Sequence, residues 1–322
     1  MTTRQVPGPG AGAGETPSQF DLAVLGADDP MGSAVLQILE EREVPVGRLF
    51  PLSLREEGAN VVFRGQDWPC DQAAEFDFGQ AQALLVTSSS AAAGRLAEQV
   101  RAAHPAMPVL LVREVDPAPA IVVARILKSV AALAGVVHAD AFVALPAAYA
   151  GQDGVEELAN QTRDLFNMES SEPEVFPLQL AFNLMPYGDP KDAPVYESAL
   201  AMATTRLAEV AEVTFSVVWA PLFFGAATQL HVRTASPVGA QALREAFRHR
   251  DGVTLMESDL AAGTPTPATD AQGSESVFIG RLRAEDRRIS FWLVFDPIQL
   301  EAARMVDVLE NWIDKPANSM LT

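Results

Sequence analysis

The chain has 322 residues and a formal net charge of −19; about half of its residues are apolar and a fifth are charged. This length suits two domains, and the composition supplies ample apolar material for a core. The acidic balance disfavours nucleic acid and anionic membrane surfaces as partners, because binding to either depends on Lys and Arg contacts.

The N-terminal residues 1–19 are rich in Gly, Ala and Pro and contain no apolar stretch, unlike a signal peptide. We expect a disordered tail there, since it has almost nothing to bury. No apolar run in the sequence reaches the roughly 18–20 residues that span a bilayer. A single cysteine, Cys70, excludes an internal disulfide, and no Cys/His cluster has metal-ligand spacing. These features predict a cytoplasmic protein without a metal site.

The first ordered segment, residues 20–25, is a short apolar strand that leads into a Gly-containing turn and a helix over 31–42. Strands and a helix then continue in alternation, which favours a mostly parallel, doubly wound sheet of the Rossmann type. The predicted strands cover 48–54, 59–63, 83–87 and 108–112, and the predicted helix covers 89–103.

After about residue 120 the strands become longer and alternate between apolar and polar residues, which predicts an antiparallel or mixed sheet covered on one face by helices. Helices are expected over 120–134, 153–166 and 298–314, strands over 136–145, 212–219, 226–234, 276–283 and 288–295, and a surface loop over 261–273. The sequence therefore predicts one domain over 20–119, completed by the C-terminal helix 297–315, and a second over 120–296.

The turn from Gly26 to Gly32 resembles the glycine-rich turn that holds a pyrophosphate at a helix N-terminus. However, Asp29 stands where a middle glycine would be, and Pro30 removes one backbone donor. Two carboxylates beside a phosphate are also electrostatically unfavourable. We favour a structural interpretation, a tight strand-to-helix turn, over retained nucleotide binding.

Four segments resemble the aspartate-semialdehyde dehydrogenase family, in the same order and over about residues 20–315. They are residues 26–42, 154–158, 176–186 (FPLQLAFNLMP) and the stretch from Thr266 to Arg283. Within that family the chain is most similar to the non-catalytic Usg-type branch. The resemblance implies a fold like that of glyceraldehyde-3-phosphate dehydrogenase, with a Rossmann domain and an α+β domain that carries the active site and the dimer interface.

The family reaction, as the resemblance implies it, uses a Cys thiolate, a His as general acid/base, an Arg that binds the substrate carboxylate, and NADP. In this chain the nucleophile position falls near Ala118, at the start of a helix. Trp219 replaces the Arg, and Ala226 replaces the His. Cys70 lies in the first domain between two carboxylates, which would raise its pKa. We therefore assign no catalytic residue.

The cofactor site is also altered relative to the family. Glu56 and Glu57 follow the second strand where the family binds the NADP 2′-phosphate, and they would repel it. Ser88 and Ser89 lie where a Ser-Gly-Gly loop meets the cofactor. Together with Gly26 and Gly32, these serines are the vestigial cofactor-binding candidates. We expect no bound cofactor, with NAD(P) as the alternative.

Several other polar residues have structural interpretations. Gln179, Asn183 and Arg281 match preserved family motifs, and we favour hydrogen bonding within the second domain over a remnant substrate pocket. Glu156 and Glu157 are interpreted as a solvated helix face. None of the four histidines is given a catalytic role.

The preferred hypothesis is a homodimeric pseudoenzyme that acts by binding a protein or small-molecule partner. The first alternative is a working NAD(P)-dependent aspartate-semialdehyde dehydrogenase of amino-acid biosynthesis with a rearranged site. The second is a different reaction, or a nucleotide sensor that uses the residual glycine turn.

Overall fold

The computed structural model describes most of the chain. The described residues are 19–55, 58–170, 172–188, 193–210, 212–256 and 263–313. Residues 1–18 of the predicted tail lie outside them, as do Glu56 and Glu57.

The N-terminal half contains a five-stranded sheet in the order β5-β2-β1-β6-β7, and all of its strand pairs are parallel. Its strands are β1 (Phe20–Leu25), β2 (Val46–Ser53), β5 (Asp71–Gln72), β6 (Ala83–Val86) and β7 (Val109–Leu111). Helices α1 (Pro30–Glu41) and α2 (Ala91–Ala103) connect them, and a hairpin of β3 (Asn60–Phe63) and β4 (Gln66–Pro69) follows β2.

Both faces of this sheet are buried, because alternate residues of one strand enter two different cores. Leu22 and Val24 pack in the core that contains α1, whereas Ala23 and Leu25 pack in the core that contains α2. A parallel sheet that is covered in this way is doubly wound. This part of the predicted fold class is confirmed.

The C-terminal half contains a seven-stranded mixed sheet in the order β12-β13-β14-β11-β8-β10-β9. Its strands are β8 (Val136–Leu145), β9 (Met185–Pro186), β10 (Val213–Trp219), β11 (Ala226–Thr234), β12 (Val253–Leu255), β13 (Val277–Glu285) and β14 (Arg288–Phe295). The remaining helices are α3 (Ala118–Ala134), α4 (Gln152–Phe166), α5 (Ala193–Ala208), α6 (Ala240–Arg248) and α7 (Pro297–Ile313).

One face of the mixed sheet carries the core. In β8, Ala141 and Val143 are buried in the main core together with residues of α3 and α6, whereas Asp140 and Phe142 point to the opposite, exposed face. This alternation is the pattern of a sheet covered on one side. The predicted α/β fold with a second, mixed-sheet domain is confirmed.

The core helix α3 forms most of a long, largely apolar stretch of the chain. The helical stretch Val112–Ala134 has 23 residues and is long and apolar enough to cross a membrane by length and composition alone. Most of it is buried inside the protein, because α3 lies between the mixed sheet, α5 and α7. Its apolar character is explained by this central position.

The last helix, α7, packs against helix α1 of the first half. Ala302, Met305 and Val306 share a core with Val35 and Ile38 of α1. The same helix also contacts α3. α7 therefore lies where the two halves meet.

The segment 261–273, predicted as a surface loop, is partly structured. Residues Pro267–Ala271 form a single π-helical turn, and Ala271 is fully buried. The Asp270 carboxylate accepts a 2.7 Å hydrogen bond from the Thr266 backbone N–H. Composition alone did not reveal this turn, because Pro and Thr are typical of open loops.

Candidate functional site

A cleft of about 440 Å³ opens at the carboxyl ends of the parallel strands, where ligands bind in doubly wound sheets. One wall comes from the turns after β1, β6 and β7, and the other from the segment after β8, from α5 and from α7. The lining residues are Asp29, Met31, Thr87, Ser88, Ser89, Ser90, Val112, Arg113, Val115, Pro117, Ala148, Tyr149, Ala150, Gly151, Gln152, Asp153, Tyr187, Tyr196, Ala199, Ile298 and Glu301.

The two glycines of the first turn are required by packing. Gly26 has φ +84°, and a Cβ there would lie 2.9 Å from Thr87 Oγ1. A Cβ on Gly32 would lie 2.2 Å from the Gly26 carbonyl oxygen, so α1 could not approach the turn. This close approach accounts for both glycines, as the structural interpretation proposed. Of the described residues around the turn, Asp29 and Met31 line the cleft.

The serines in the loop after β6 have two different roles. Ser90 caps α2, because its Oγ accepts a 3.2 Å hydrogen bond from the Ala93 N–H. Ser88 Oγ donates to Ser90 Oγ at 3.2 Å. Ser88 and Ser89 both line the cleft. The loop thus serves as a helix cap and also presents two hydroxyls to the cavity.

Asp29 is placed at the N-cap of α1, but its side chain makes no capping hydrogen bond. Burial raises its pKa to about 6, and the neighbouring Asp28 charge adds to the effect. Asp28 is itself fixed by Ser53 Oγ, which donates to its Oδ2 at 2.7 Å. Two carboxyl groups therefore lie at the helix N-terminus where a pyrophosphate would be expected.

Glu301 of α7 is a buried carboxyl group at the N-terminus of α3. Its Oε1 accepts two hydrogen bonds, from Ala118 N–H at 2.8 Å and from the Tyr149 hydroxyl at 2.7 Å. Burial raises its pKa to about 7, although these two bonds oppose the shift. An acidic side chain of the protein itself thus occupies the position at which the family resemblance places the nucleophile.

A group of stacked aromatic rings extends from Glu301. The hydroxyls of Tyr149 and Tyr196 are 3.2 Å apart, and the rings of Tyr196 and Tyr187 stack at 4.4 Å. Tyr187 in turn lies 4.9 Å from the Trp219 ring. Since Tyr149 has one proton and donates it to Glu301, Tyr196 must donate to Tyr149. Burial raises the pKa of Tyr149 and Tyr196 well above the ordinary range, so both stay neutral.

Two of the three positions interpreted as lost catalytic residues contact this group: Ala118 through Glu301 and Trp219 through Tyr187. Ala118 is the first residue of α3 and is fully buried, as is Ala226 at the start of β11. Trp219 ends β10, is 7% exposed, and packs against Tyr187 and Phe176. None of the three side chains carries a nucleophile, a titratable group or a positive charge.

Cys70 lies at the edge of the first sheet between β4 and β5, outside the lining of the cleft. It is half-buried, and burial raises the pKa of its thiol to about 12, with further contributions from Asp28 and Asp71. A thiol with this pKa is almost entirely protonated near neutral pH, and the thiolate is the reactive form. Across the described ranges, no group of three or more His, Cys, Asp and Glu is arranged to hold a metal ion.

One acidic and one amide side chain of α4 bind the backbone of the segment that follows the helix. Glu157 accepts hydrogen bonds from the backbone N–H groups of Glu174, Val175 and Phe176, and Gln161 accepts from those of Leu180 and Ala181. Glu157 is 9% exposed. Its interpretation as part of a solvated face is therefore wrong, whereas its neighbour Glu156 is exposed and pairs with Arg55.

The preserved polar residues of the second half have local roles. Gln179 Nε2 donates to the Ala181 carbonyl, and Asn183 Nδ2 donates to the Gln179 carbonyl, both at 2.9 Å. Arg281 is exposed on β13, with φ +48°. The cleft lining contains none of these three residues. These contacts agree with hydrogen bonding within the second half of the chain.

Glu301 and the tyrosines were not singled out from the sequence, although one signal was available. Ile298, Glu301, Ala302 and Met305 stand at positions i, i+3, i+4 and i+7 of α7, so Glu301 lies on its apolar face. A carboxylate on a buried helix face is a candidate functional group.

A family model described as the semialdehyde dehydrogenase dimerisation domain matches residues 144–299. The chain is 29% identical to a USG-1 protein homolog of Azotobacter vinelandii, over 90% of this chain and 97% of that protein. It is 28% identical to aspartate-semialdehyde dehydrogenase 2 of Vibrio cholerae, over 88% of this chain and 95% of that protein.

Solved structures agree with these relatives. The crystal structure of aspartate semialdehyde dehydrogenase II from Vibrio cholerae, in complex with ASA, matches with a TM-score of 0.75 and 25% identity. The match spans 91% of this chain and 99% of the Vibrio cholerae chain. The family model, the relatives and this structure all show similarity to aspartate-semialdehyde dehydrogenases and their homologues.

Proposed function

We propose that this protein is a pseudoenzyme of the aspartate-semialdehyde dehydrogenase family, which has kept the fold and works by binding a ligand or partner. The observation that carries the proposal is the hydrogen bond from Ala118 N–H to the buried Glu301 carboxyl. At the helix N-terminus where the family resemblance implies a thiolate nucleophile, this chain has a methyl side chain and an acidic group.

For each step of the family reaction, this chain lacks the side chain that would carry it out. Ala118 cannot attack a carbonyl carbon, and Ala226 cannot transfer a proton. Trp219 cannot form the two parallel hydrogen bonds that an Arg gives to a carboxylate. A negative charge on Glu301 would also repel an acyl phosphate. Losing the nucleophile alone typically costs several orders of magnitude in rate, and here three groups are absent.

We also propose that NADP is not a resident cofactor. Asp28 and Asp29 lie at the α1 N-terminus where its pyrophosphate would bind, and Pro30 contributes no N–H there. Arg113 is the only basic residue that lines the cleft along the described chain, and its Nη2 lies 3.9 Å from Glu98. The site therefore supplies too little positive charge to balance the negative charge of a dinucleotide.

The proposed assembly is a homodimer. Nine of the fifteen large apolar side chains that are exposed among the described residues fall within 165–202, which we call the apolar segment. The segment lies inside the part of the chain that matches the dimerisation-domain model. A concentration of exposed apolar side chains of this kind marks an interaction surface. A second copy of the chain is the occupant that the family match favours.

The proposed loss of activity is tested by a turnover assay with aspartate semialdehyde, phosphate and NADP, on the natural chain and on a Cys70→Ala variant. We expect neither protein to reduce NADP above the background of the assay, since the only thiol is protonated and does not line the cleft. The Vibrio cholerae enzyme, assayed in parallel, serves as the positive control.

Turnover by the natural chain would overturn the proposal. If Cys70→Ala abolished that turnover, the first alternative of a rearranged dehydrogenase site would be correct. If it did not, another nucleophile would be responsible.

A further inference from the structure

We infer that the cleft binds a small protonated amine with an apolar body, whose ammonium group pairs with Glu301 or Asp29. The inference rests on the proposed function, since it assigns a ligand class to the cleft that the missing dehydrogenase chemistry leaves without one.

The charge of the cleft favours a cation. Its acidic lining residues are Asp29, Asp153 and Glu301. Arg55 already pairs with Asp153. Both Asp29 and Glu301 line the cavity. Arg55 attracts Asp29 without forming a salt bridge to it, and within the described ranges no basic side chain forms an ion pair with Glu301. A ligand cation would supply the missing opposite charge.

Glu301 is prepared for such a ligand by its hydrogen bonds. Ala118 N–H and Tyr149 OH both bond to Oε1, which leaves Oε2 for an additional donor. The carboxyl is 5% exposed, so water competes weakly for it. An ion pair in such a site is stronger than the same pair at the surface, provided that the hydrogen bonds are satisfied.

The other walls of the cleft are apolar or aromatic. Met31, Val112, Val115 and Ile298 contribute aliphatic side chains, and the stacked Tyr187 and Tyr196 rings complete the lining. Aromatic faces also attract cations. The cavity volume of about 440 Å³ falls within the roughly 300–1,000 Å³ that small-molecule sites occupy. An inorganic cation would leave these apolar walls unused, whereas an amine with an apolar body would cover them.

Proton release accompanies binding of this kind. Burial holds the pKa of Glu301 at about 7 and that of Asp29 at about 6, so both are partly protonated near neutral pH. The groups that face Glu301 are Ala118 N–H and the neutral side chains of Tyr149, Tyr187 and Tyr196. The groups that face Asp29 are Asp28, Asp153, Arg55 and Gln152 N–H. An ammonium group stabilises the ionised carboxylates and therefore lowers both pKa values.

The test is calorimetric titration of the full chain with 2-phenylethylamine, and with its uncharged analogue 2-phenylethanol, at pH 8 and pH 5. We expect the amine to bind at least about tenfold more tightly than the alcohol at pH 8, and to lose about tenfold in affinity at pH 5. Near pH 6.5, titrations in two buffers of different ionisation enthalpy should show proton release. Glu301→Gln should weaken amine binding at least about tenfold without changing alcohol binding.

Two further variants keep the test decisive. Glu41→Gln removes an exposed carboxylate from the solvent side of α1 and should bind the amine as the natural chain does. Asp29→Asn replaces Glu301→Gln as the test variant if circular dichroism shows that the latter is unfolded. Equal binding of amine and alcohol, no binding of either, or affinity unchanged in both cleft variants would overturn the amine assignment. These outcomes would leave the pseudoenzyme proposal to the separate turnover assay.

Discussion

The Glu301 side chain destabilises the folded protein at high pH. Burial raises its pKa from the ordinary 4.5 to about 7, so the folded protein holds this proton more tightly than the unfolded chain does. The resulting stabilisation is full below about pH 4.5 and is lost as the pH rises to about 7. Between pH 5 and pH 8 the natural chain should lose about 2 to 3 kcal/mol of unfolding free energy from this residue.

Glu301→Gln should largely remove this pH dependence, because the amide keeps an oxygen acceptor for Ala118 and Tyr149 but does not titrate. Urea denaturation of both proteins at pH 5 and pH 8 measures the difference, with Glu41→Gln as a control for loss of a surface charge. Parallel losses of stability in the natural chain and in Glu301→Gln would contradict the buried, protonated carboxyl.

The sequence predicted which catalytic groups are missing, but it did not predict which polar groups lie beside those positions. Ala118, Trp219 and Ala226 could be recognised as chemically inert from residue type alone, and the structure places all three at element ends in the core. The carboxyl of Glu301 and the hydroxyl of Tyr149 are 152 positions apart in sequence, and they meet because α7 packs against the turn Ala147–Ala150 that follows β8. Pairings of this kind depend on tertiary packing, which no local pattern encodes.

At the level of elements, α4 stabilises the irregular segment that follows it. Glu157 supplies acceptors for three backbone N–H groups that have no partner in a strand or helix. Glu157→Ala should therefore lower the unfolding free energy by about 3 kcal/mol, since donors near the core lose a charged acceptor.

Glu156→Ala is the matched control, because Glu156 is the next residue of the same helix but is exposed. It should change the unfolding free energy by about 0.5 kcal/mol or less. Urea unfolding of both variants at neutral pH makes the comparison. Equal effects would show that the hydrogen bonds of Glu157 contribute no net stability.

The elements that could be predicted have a clear period in their apolar residues. Residues 136–145 were predicted as a strand, and the observed strand β8 has the same bounds. Buried and exposed positions alternate along much of β8, which is the period of a strand. The helix α5 was missed: its exposed side includes Val195 and Met202 while Leu200 is buried, so apolar residues occur on both faces. Strand β4 was also missed, because its polar residues and Pro69 resemble a loop.

At the level of the whole molecule, packing explains how the fold can be kept under the proposed loss of the family chemistry. The parallel sheet has a core on each face, and the mixed sheet has its own core. All three are built from apolar side chains and do not need the Cys, His or Arg of the family reaction. Ala118, Trp219 and Ala226, the positions proposed to lack the catalytic groups, belong to the core of the second half. Buried apolar side chains avoid the desolvation cost of polar groups, so the proposed loss of activity is compatible with a stable fold.

The proposed dimer makes a prediction about molecular mass and about one side chain. Sedimentation of the natural chain should give about twice the 34.4 kDa mass of one chain. Phe182, 70% exposed within the apolar segment, packs edge-on against Phe166 at 5.8 Å. Phe182→Asp should shift the protein to a monomer, because a charge would be buried without a partner in the interface. The residue has φ +57°, a conformation that Asp tolerates, so the variant should fold.

Val62→Asp provides the control, since Val62 is 63% exposed but lies on the β3–β4 hairpin of the other half. It should sediment as the natural chain does if the interface is formed by the apolar segment. A natural chain that sediments as a monomer of about 34.4 kDa at micromolar concentration would remove the dimer proposal. A dimer that Val62→Asp disrupts and Phe182→Asp does not would move the interface to the first half. Either result would require another explanation for the exposed side chains between residues 165 and 202.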